Sequence, residues 1–454
     1  MFALAWFLIA QPALVHEVFY DRVGLEDRAT ALGLGDDGTV FLTGYSFSET
    51  TDFDVVTLAV DTARKVVWTR RYGSSLHCED RAWALAMDSS GCPIAVGGSI
   101  GDFAQGWDII ALKYRPNGDS VWFRRYGSPA HSDDKPVAAA VMRDGRMVLA
   151  GSSRWKPDAA TVREGEIVDR KSEIVDRSDW DAFTIWTDSL GETLCTRRFD
   201  IERKDDYGTG LALDDSGNCY IAGKGVFGKS GTSAFLLKYD RLGYLLWQQL
   251  VPGKGPGSMA QGVVTAGAGQ VILFGSAYET GRSFDYMASG FHPDGRKRWQ
   301  WTLDGAKGVD IAQAAVLGPD SGAFITGQST GKGTSFDVLT VRLSPTGETL
   351  WTRRYNGPTS GEDRGWCIER VPGGCVIGAT SVGPSGQPDL VLIGYSDAGE
   401  KLWTWRYSGG GAGETRPVAM KWDGVRKRLL VAGHTNRPET GFDYLLLEME
   451  IPRF

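Results

Sequence analysis

The sequence predicts an all-β chain of eight similar four-stranded units closed into a ring. Three observations carry this reading: a repeat that spans the chain, four strand-like pieces per repeat, and a strand missing at one end with a spare one at the other.

The repeat shows first in short words. Residues 68–73 read WTRRYG and residues 351–356 read WTRRYN. Aligned on an aromatic–Asp pair, the units mark themselves at Asp54, Asp108, Asp181, Ser233, Asp285, Asp337, Asp389 and Asp443, in steps of 54, 73, 52, 52, 52, 52 and 54. Fourteen residues after each of the first seven stand Trp68, Trp122, Cys195, Trp247, Trp299, Trp351 and Trp403. Ten residues before the marker lie Gly44, Gly98, Gly223, Gly275, Gly327, Ala379 and Gly433, with Gly151 thirty residues before it in the third unit. Three markers that hold register along the chain identify a tandem repeat.

Each unit then resolves into strands. From residue 312 the pieces read AQAAVLG, GAFITG, SFDVLTVRL and LWTRRY, separated by PDSG, STGKGT and SPTGET. In the third piece Val338, Thr340 and Arg342 alternate with Leu339, Val341 and Leu343, the period of a strand. The turns before the Trp strand (RPNG, HPDG, SPTG, SDAG) are short and Gly-bearing, as a hairpin requires. No helical period of 10–15 residues intervenes. The chain ends after its eighth third strand, and VHEVFY at 15–20 precedes GLEDR as Trp strands precede acidic connections elsewhere. That strand completes the last blade and leaves no open end. The fold expected is a β-propeller of eight four-stranded blades over residues 15–454. Seven blades, with one unit outside the ring, is the alternative count.

A residue repeated in every unit points to packing, because each blade must seat on its neighbour whereas a ligand seldom needs one side chain all round a ring. Trp68 and its equivalents therefore read as wedges between blades. Cys195 marks a looser contact. The aromatic before each Asp reads as a second wedge, and the Asp as an acceptor for turn amides ahead of the third strand.

Composition sets outer limits. Hydrophobic residues make up 42%, with 60 Gly for turns and 16 Trp for anchors. Lys and Arg total 49 against 56 Asp and Glu, a net charge of −7 with no basic block, which argues against nucleic acid. Residues 1–14 form an apolar run, too short to span a bilayer, that resembles the core of a signal peptide without its usual basic start. The expectation is an extracytoplasmic monomer with no transmembrane segment. Six cysteines are too few for a disulfide scaffold of this size.

The acidic connections are the candidate site. They read Glu26-Asp27-Arg28, Glu79-Asp80-Arg81 and Glu362-Asp363-Arg364, with Asp133-Asp134-Lys135 and Glu414-Thr415-Arg416 as variants. Carboxylates around a channel mouth could hold a cation or a polyol; charge pairs that tie each connection to its neighbour are the plainer role. Whether a metal binds is left open.

The motifs match the bacterial and archaeal family named for its seven-bladed β-propeller repeats, which this chain resembles over 15–454. The second unit shows the pattern: Trp68, Arg71-Tyr72-Gly73, Glu79-Asp80, Ala82–Asp88 and Gly98-Ser99. The resemblance implies exported propeller modules and supplies no catalytic residues. This chain departs from it in having eight units and an insertion at 154–180, where EIVDR is written twice. A loop this long is functional or disordered, and in a propeller it emerges on the same face as the acidic connections.

Catalytic signatures fail on context. Gly97–Gly101 matches GxSxG and Gly223–Gly228 matches GxGxxG, but both run into strands where the chemistry needs a helix. The five histidines include no HExxH, and His77 with His131, which share a register, read as surface residues. Quinoproteins are eight-bladed propellers with a Trp-ended blade motif that KYRPNGDSVW (113–122) loosely resembles, but no adjacent Cys pair is present to stack a quinone. The eight-bladed assembly scaffold of bacterial outer membranes is an equally good comparison. The function expected is a non-enzymatic binding or scaffold module with no cofactor, holding a protein or cell-surface polymer on the connection face. An enzyme working in the central pocket (quinoprotein-like, lyase or glycosidase), or a structural envelope component, is the alternative.

Overall fold

The computed structural model describes residues 11–22, 24–75, 78–100, 106–127, 133–154, 179–202, 204–227, 231–255, 257–266, 269–279, 283–410 and 413–454. Among these residues there are 32 strands and no helix. The strands pair into eight separate four-stranded antiparallel sheets. Blades 1 to 7 each take four consecutive strands, within 27–72, 80–126, 134–199, 206–251, 258–303, 310–355 and 363–407. Blade 8 takes three strands from 415–450 and its outer strand, Ala13–Tyr20, from the far end of the chain, paired to Gly441–Glu450. The ring closes as expected, with eight blades. Of the expected leader, residues 1–10 lie outside the described residues, and the closing strand starts at Ala13, ahead of residue 15. No described helix is long and apolar enough to cross a membrane.

The alternation in Phe336–Leu343 has an unexpected meaning, because nearly every residue of that strand is buried. A middle strand has a neighbouring blade on both faces. Leu339, Val341 and Leu343 pack with Ile272, Phe274 and Tyr286 of blade 5, while Val338 packs with Ile368 and Ile377 of blade 7. Eight such apolar clusters are found, one at each seam. The core is a ring of seams, not a single centre.

The WTRRY word supplies the contacts across and within blades. Trp68, Trp122, Trp247, Trp299 and Trp351 donate their indole N–H to turn carbonyls of the next blade, at Pro116, Ser189, Pro293, Pro345 and Asp397, over 2.8–3.2 Å. The ring lies flat on that turn's glycine. Gly399, at φ 84°, is so close that a Cβ would sit 2.6 Å from Trp351 Cγ. Only a residue without Cβ takes that backbone and that proximity together. The first Arg then bonds the same glycine: Arg70, Arg197 and Arg353 donate Nε to the carbonyls of Gly118, Gly243 and Gly399 over 2.6–2.7 Å. The second Arg stays within its blade. Arg125, Arg354 and Arg406 each bridge the third-strand Asp (Asp108, Asp337, Asp389) and a second-strand Ser (Ser99, Ser329, Ser381). The marker Asp thus has partners other than those expected. Asp54 and Asp337 accept from Thr51 and Thr334 hydroxyls and from Arg71 and Arg354.

Three seams depart from the rule; at the seam of blades 7 and 8, Trp403 meets the Phe454 ring edge-on in place of a turn. Where Cys195 replaces the Trp, its cross-strand neighbour Trp186 fills the space, fully buried and edge-on to Tyr239 with ring centroids 5.1 Å apart. The contact is refilled from the next strand, not loosened. At the closing seam His16 holds the Trp register. Arg64 occupies the glycine position of blade 1's turn at φ 63° and reaches Glu448 of blade 8 through two hydrogen bonds of 2.8 and 2.9 Å, while His16 meets the same carboxylate at 2.7 Å. All six cysteines are unbridged, four of them buried.

Trp351→Ala should cost about 3–5 kcal/mol. Gly399→Ala should cost clearly more than Gly386→Ala, which has a similar φ of 80° but no atom within 4 Å of the added carbon. Denaturant midpoints of the three variants check this; equal losses in the two glycine variants would contradict the wedge.

Candidate functional site

The first residue of each inner strand pairs with the end of the second strand, as Asp27 does with Ser46. The outer-to-inner connections and the second-to-third loops therefore open on one face of the ring. The insertion belongs to that face: Arg154 lies over the Trp180 ring at 4.8 Å, and residues 155–178 between them lie outside the described residues. His77 and His131 lie outside them as well. Gly97–Ile100 and Gly223–Phe227 lie in strands, as their context required.

The acidic connections split into inward and outward acids. Asp27, Asp80, Asp134 and Asp363 open inner strands and are buried. Asp27, Asp80 and Asp363 accept the backbone N–H of Arg22, Ser74 and Gly357 over 2.5–2.8 Å, tying down the connection that precedes them. Asp206 and Asp310 do the same with Ile201 and Gly305. Burial raises the carboxyls of Asp27, Asp80, Asp206, Asp310 and Asp363, Asp27 to about 6 and Asp206 to about 7. Asp206 is pushed far because Gly225 stands opposite it where the others face a serine hydroxyl, and because Asp200, Asp205 and Asp179 lie near. Glu362 is exposed, and Glu26, Glu79, Asp133 and Glu414 are half-buried. Glu26, Glu79 and Glu362 pair with Arg28, Arg81 and Arg364 at 2.7, 3.3 and 2.9 Å, and Asp133 lies 3.8 Å from Arg154.

These arginines are not spread evenly. The second position of the inner strand is Arg364, Arg416, Arg28 and Arg81 in blades 7, 8, 1 and 2, then Lys135, and then Tyr207, Met259 and Ile311. Each guanidinium of the arc lies on an aromatic ring of the preceding blade: Arg28 on Phe442 at 3.8 Å, Arg81 on Phe53 at 4.3 Å, Arg364 on Phe336 at 5.4 Å and Arg416 on Trp366 at 3.5 Å. In three of the four the aromatic before the Asp thus serves as a seat for the next blade's cation; in blade 7, where Pro388 precedes Asp389, Trp366 of the inner strand takes that part. Within the arc the Nε groups of Arg81, Arg364 and Arg416 are buried without a hydrogen-bond partner, and His434 lies buried beside them. Burial pulls His434 down to about 3, with Arg28 and Arg416 adding to the effect, so it is neutral. Arg416 shares the register of the predicted arginines and was legible. His434 sits in a second strand outside any repeated register, and nothing in the sequence singled it out.

Among the described residues, three acidic groups on this face have oxygens within 4.8 Å of one another: Asp21, Asp27 and Asp443; Asp181, Asp200 and Asp206; Asp285, Asp304 and Asp310. Hard oxygen donors of this kind suit a divalent cation. Arg437 and Arg198 already sit on Asp443 and Asp181. Toward the ring's centre a cavity of about 710 Å³ is lined by inner-strand residues of blades 4 to 8, mostly small and apolar, such as Ala212, Val263, Val316 and Met420. Among its lining residues only Glu369, Arg370 and Lys421 are charged. Burial raises the Glu369 carboxyl against the pull of Lys421, and the Trp422 amide donates to it at 3.0 Å.

No known family profile matches the chain, and no curated protein does. Solved structures do. A europium-containing methanol dehydrogenase aligns over 97% of this chain and 93% of its own, at 10% identity and a TM-score of 0.53. The polysaccharide lyase Uly1 aligns over 97% and 100%, at 9% and 0.48, and a virginiamycin B lyase from Staphylococcus aureus over 95% and 99%, at 10% and 0.43. Identities this low show the propeller fold and nothing of function.

Because Asp206 is raised from 3.8 to about 7, the folded chain holds more protons there than the unfolded chain between those values. Its burden on stability therefore grows as pH rises through that window and is complete above it. Asp206→Asn keeps the acceptor for Ile201 and removes the ionisation. Its melting midpoint should exceed the parent's by ~2 °C at pH 8 and match it at pH 4; a lower midpoint at both would contradict the assignment.

Proposed function

We propose that this chain is an extracytoplasmic, non-enzymatic binding module, an eight-unit relative of the seven-bladed repeat family. Its ligand lies over the arc of blades 7, 8, 1 and 2 on the connection face. The observation that carries this is asymmetry. Side chains that hold the ring together recur around it, as the Trp, the two Arg and the Asp do. Arg364, Arg416, Arg28 and Arg81 occur in four adjacent blades and then stop.

The chemistry of the arc favours an acceptor-rich ligand. Stacking on a ring fixes each guanidinium plane in advance, so less freedom is lost when it binds. The unpaired Nε groups of Arg81, Arg364 and Arg416 are donors in want of acceptors. The glutamates beside them keep the arc close to neutral, so binding rests on directed hydrogen bonds more than on bulk charge. A surface polysaccharide that carries carboxylates fits this pattern. The apolar run at 1–14 supports export, and the ends of the insertion, Arg154 and Trp180, open on the same face.

A second reading, an enzyme that works in the central channel, rests on Glu369, the one carboxyl that lines it. Small apolar residues around a single acid give a weaker basis than the arc.

Affinity electrophoresis through polygalacturonate and through a neutral glucan tests the first reading. The parent chain should be retarded by the polyuronate alone, and Arg28→Gln with Arg364→Gln should weaken that retardation at least ~10-fold at an unchanged melting midpoint. Equal migration in both gels would rule out this ligand class. Retardation by an acidic peptide instead would keep the arc and change the ligand.

A further inference from the structure

Every propeller of this kind leaves the outer strand of each blade with one unpaired edge, which natural sheets guard with charge. Seven of the eight outer strands do so here, with Arg70, Arg124, Arg197, Lys297, Arg353 and Lys401 among them and Glu17 on the closing strand. Blade 4 does not. Its outer strand, Leu245–Val251, reads LLWQQLV and holds no charged residue. The WTRRY word has been rewritten there so that both arginines are lost. Leu245, Leu246 and Leu250 are 43–52% exposed, and in the adjoining turn Leu242 and Tyr244 exceed 50%. The apolar surface runs on into blade 3, where exposed Leu194 precedes Cys195, whose thiol lies 3.5 Å from the Leu242 carbonyl.

We infer that this edge is a self-association surface, on which a second copy of the chain pairs its own Leu245–Val251 strand antiparallel across a two-fold axis. Identity of the two strands decides the occupant. Antiparallel pairing about a two-fold sets the residue n places before the axis against the one n places after it, so a strand with several charges of one sign gathers both copies' charges in one short ladder, and like charges brought opposite destabilise the pair. Blade 4's is the one described outer strand with no charged residue, so no register of self-pairing can set like charges opposite each other. With the axis at Gln248, Leu246 of one copy meets Leu250 of the other, and Gln248 meets Gln248. Strand alternation keeps these three on one side, while Trp247 turns to blade 5. The two blades then form one eight-stranded sheet, with Leu242 and Tyr244 at its margins. This departs from the monomer expected from the sequence. It is independent of the arc, which lies on blades 7, 8, 1 and 2.

Sedimentation velocity on the full chain between about 1 and 100 µM, where standard-sized interfaces associate, tests this. The parent should sediment as a dimer that dissociates on dilution. Leu246→Lys with Leu250→Lys should weaken dimerisation at least ~10-fold at an unchanged melting midpoint, because four like charges would then face one another. Val67→Lys on blade 1 should leave it intact. If the double variant fails to fold, Gln248→Cys serves: paired about the axis, its Cα atoms lie within disulfide reach, so oxidation should give a cross-linked dimer that the parent chain does not form. A parent chain that stays monomeric over the whole range overturns the proposal. So does a dimer that persists in a folded double variant, or a Gln248→Cys chain that forms no cross-link.

Discussion

The fold depends on one repeated contact, an indole laid flat on a left-handed turn in the next blade. The contact binds two sequence requirements together, since the Trp is useful only if the turn's glycine lets it approach. An added carbon at Gly118, Gly295, Gly347 or Gly399 would lie 2.5–2.9 Å from the ring of the preceding blade's Trp. The Arg that follows fixes the same turn from its carbonyl. Each blade is thereby located by its predecessor, and a ring of eight sheets needs no common core. The apolar clusters lie between blades, as a structure built from neighbour contacts requires.

Such a scheme has to solve its exceptions. At the seam that lacks a wedge in the outer strand, the neighbouring strand provides Trp186. At blade 7 the contact after Trp403 is made by Phe454, ring centroids 6.0 Å apart, because blade 8 has no turn in that place. At closure, where the chain's two ends meet, an ion group replaces the indole: Glu448 of the last strand holds Arg64 and His16. Burial alone would push the Glu448 carboxyl up, but hydrogen bonds from Arg64 and His16 hold it down, so it stays ionised and keeps the pair. The closing seam thus places an ion group where other seams have an indole, beside an apolar cluster like theirs.

Most of the architecture was legible because period and register are properties of the chain itself. Blade number, the four strands per blade and the joining of tail to head followed from Trp, Asp and Gly at fixed intervals. What could not be read depended on which strand lies across from which. Trp186 substitutes for Cys195 only because Trp186 and Cys195 are cross-strand partners. The marker Asp finds an arginine 17 residues on, a pairing that no local turn pattern announces. The acidic connections were visible, but their division was not: alternation along the strand sends Asp27 inward and Arg28 outward, so adjacent letters of one motif serve stability and surface separately. His434 gave no sign at all, since its environment is made by Arg28 and Arg416 on two other strands.

The central claim is that the ring is held at its seams and sealed by a strand from the opposite end of the chain. Guanidinium unfolding of a chain that lacks residues 1–20, followed by Trp emission, tests it directly. Without Ala13–Tyr20, blade 8 loses its outer strand and Glu448 loses His16, so the midpoint should fall well below that of the full chain. A midpoint and slope unchanged by the deletion would show that the seal contributes nothing.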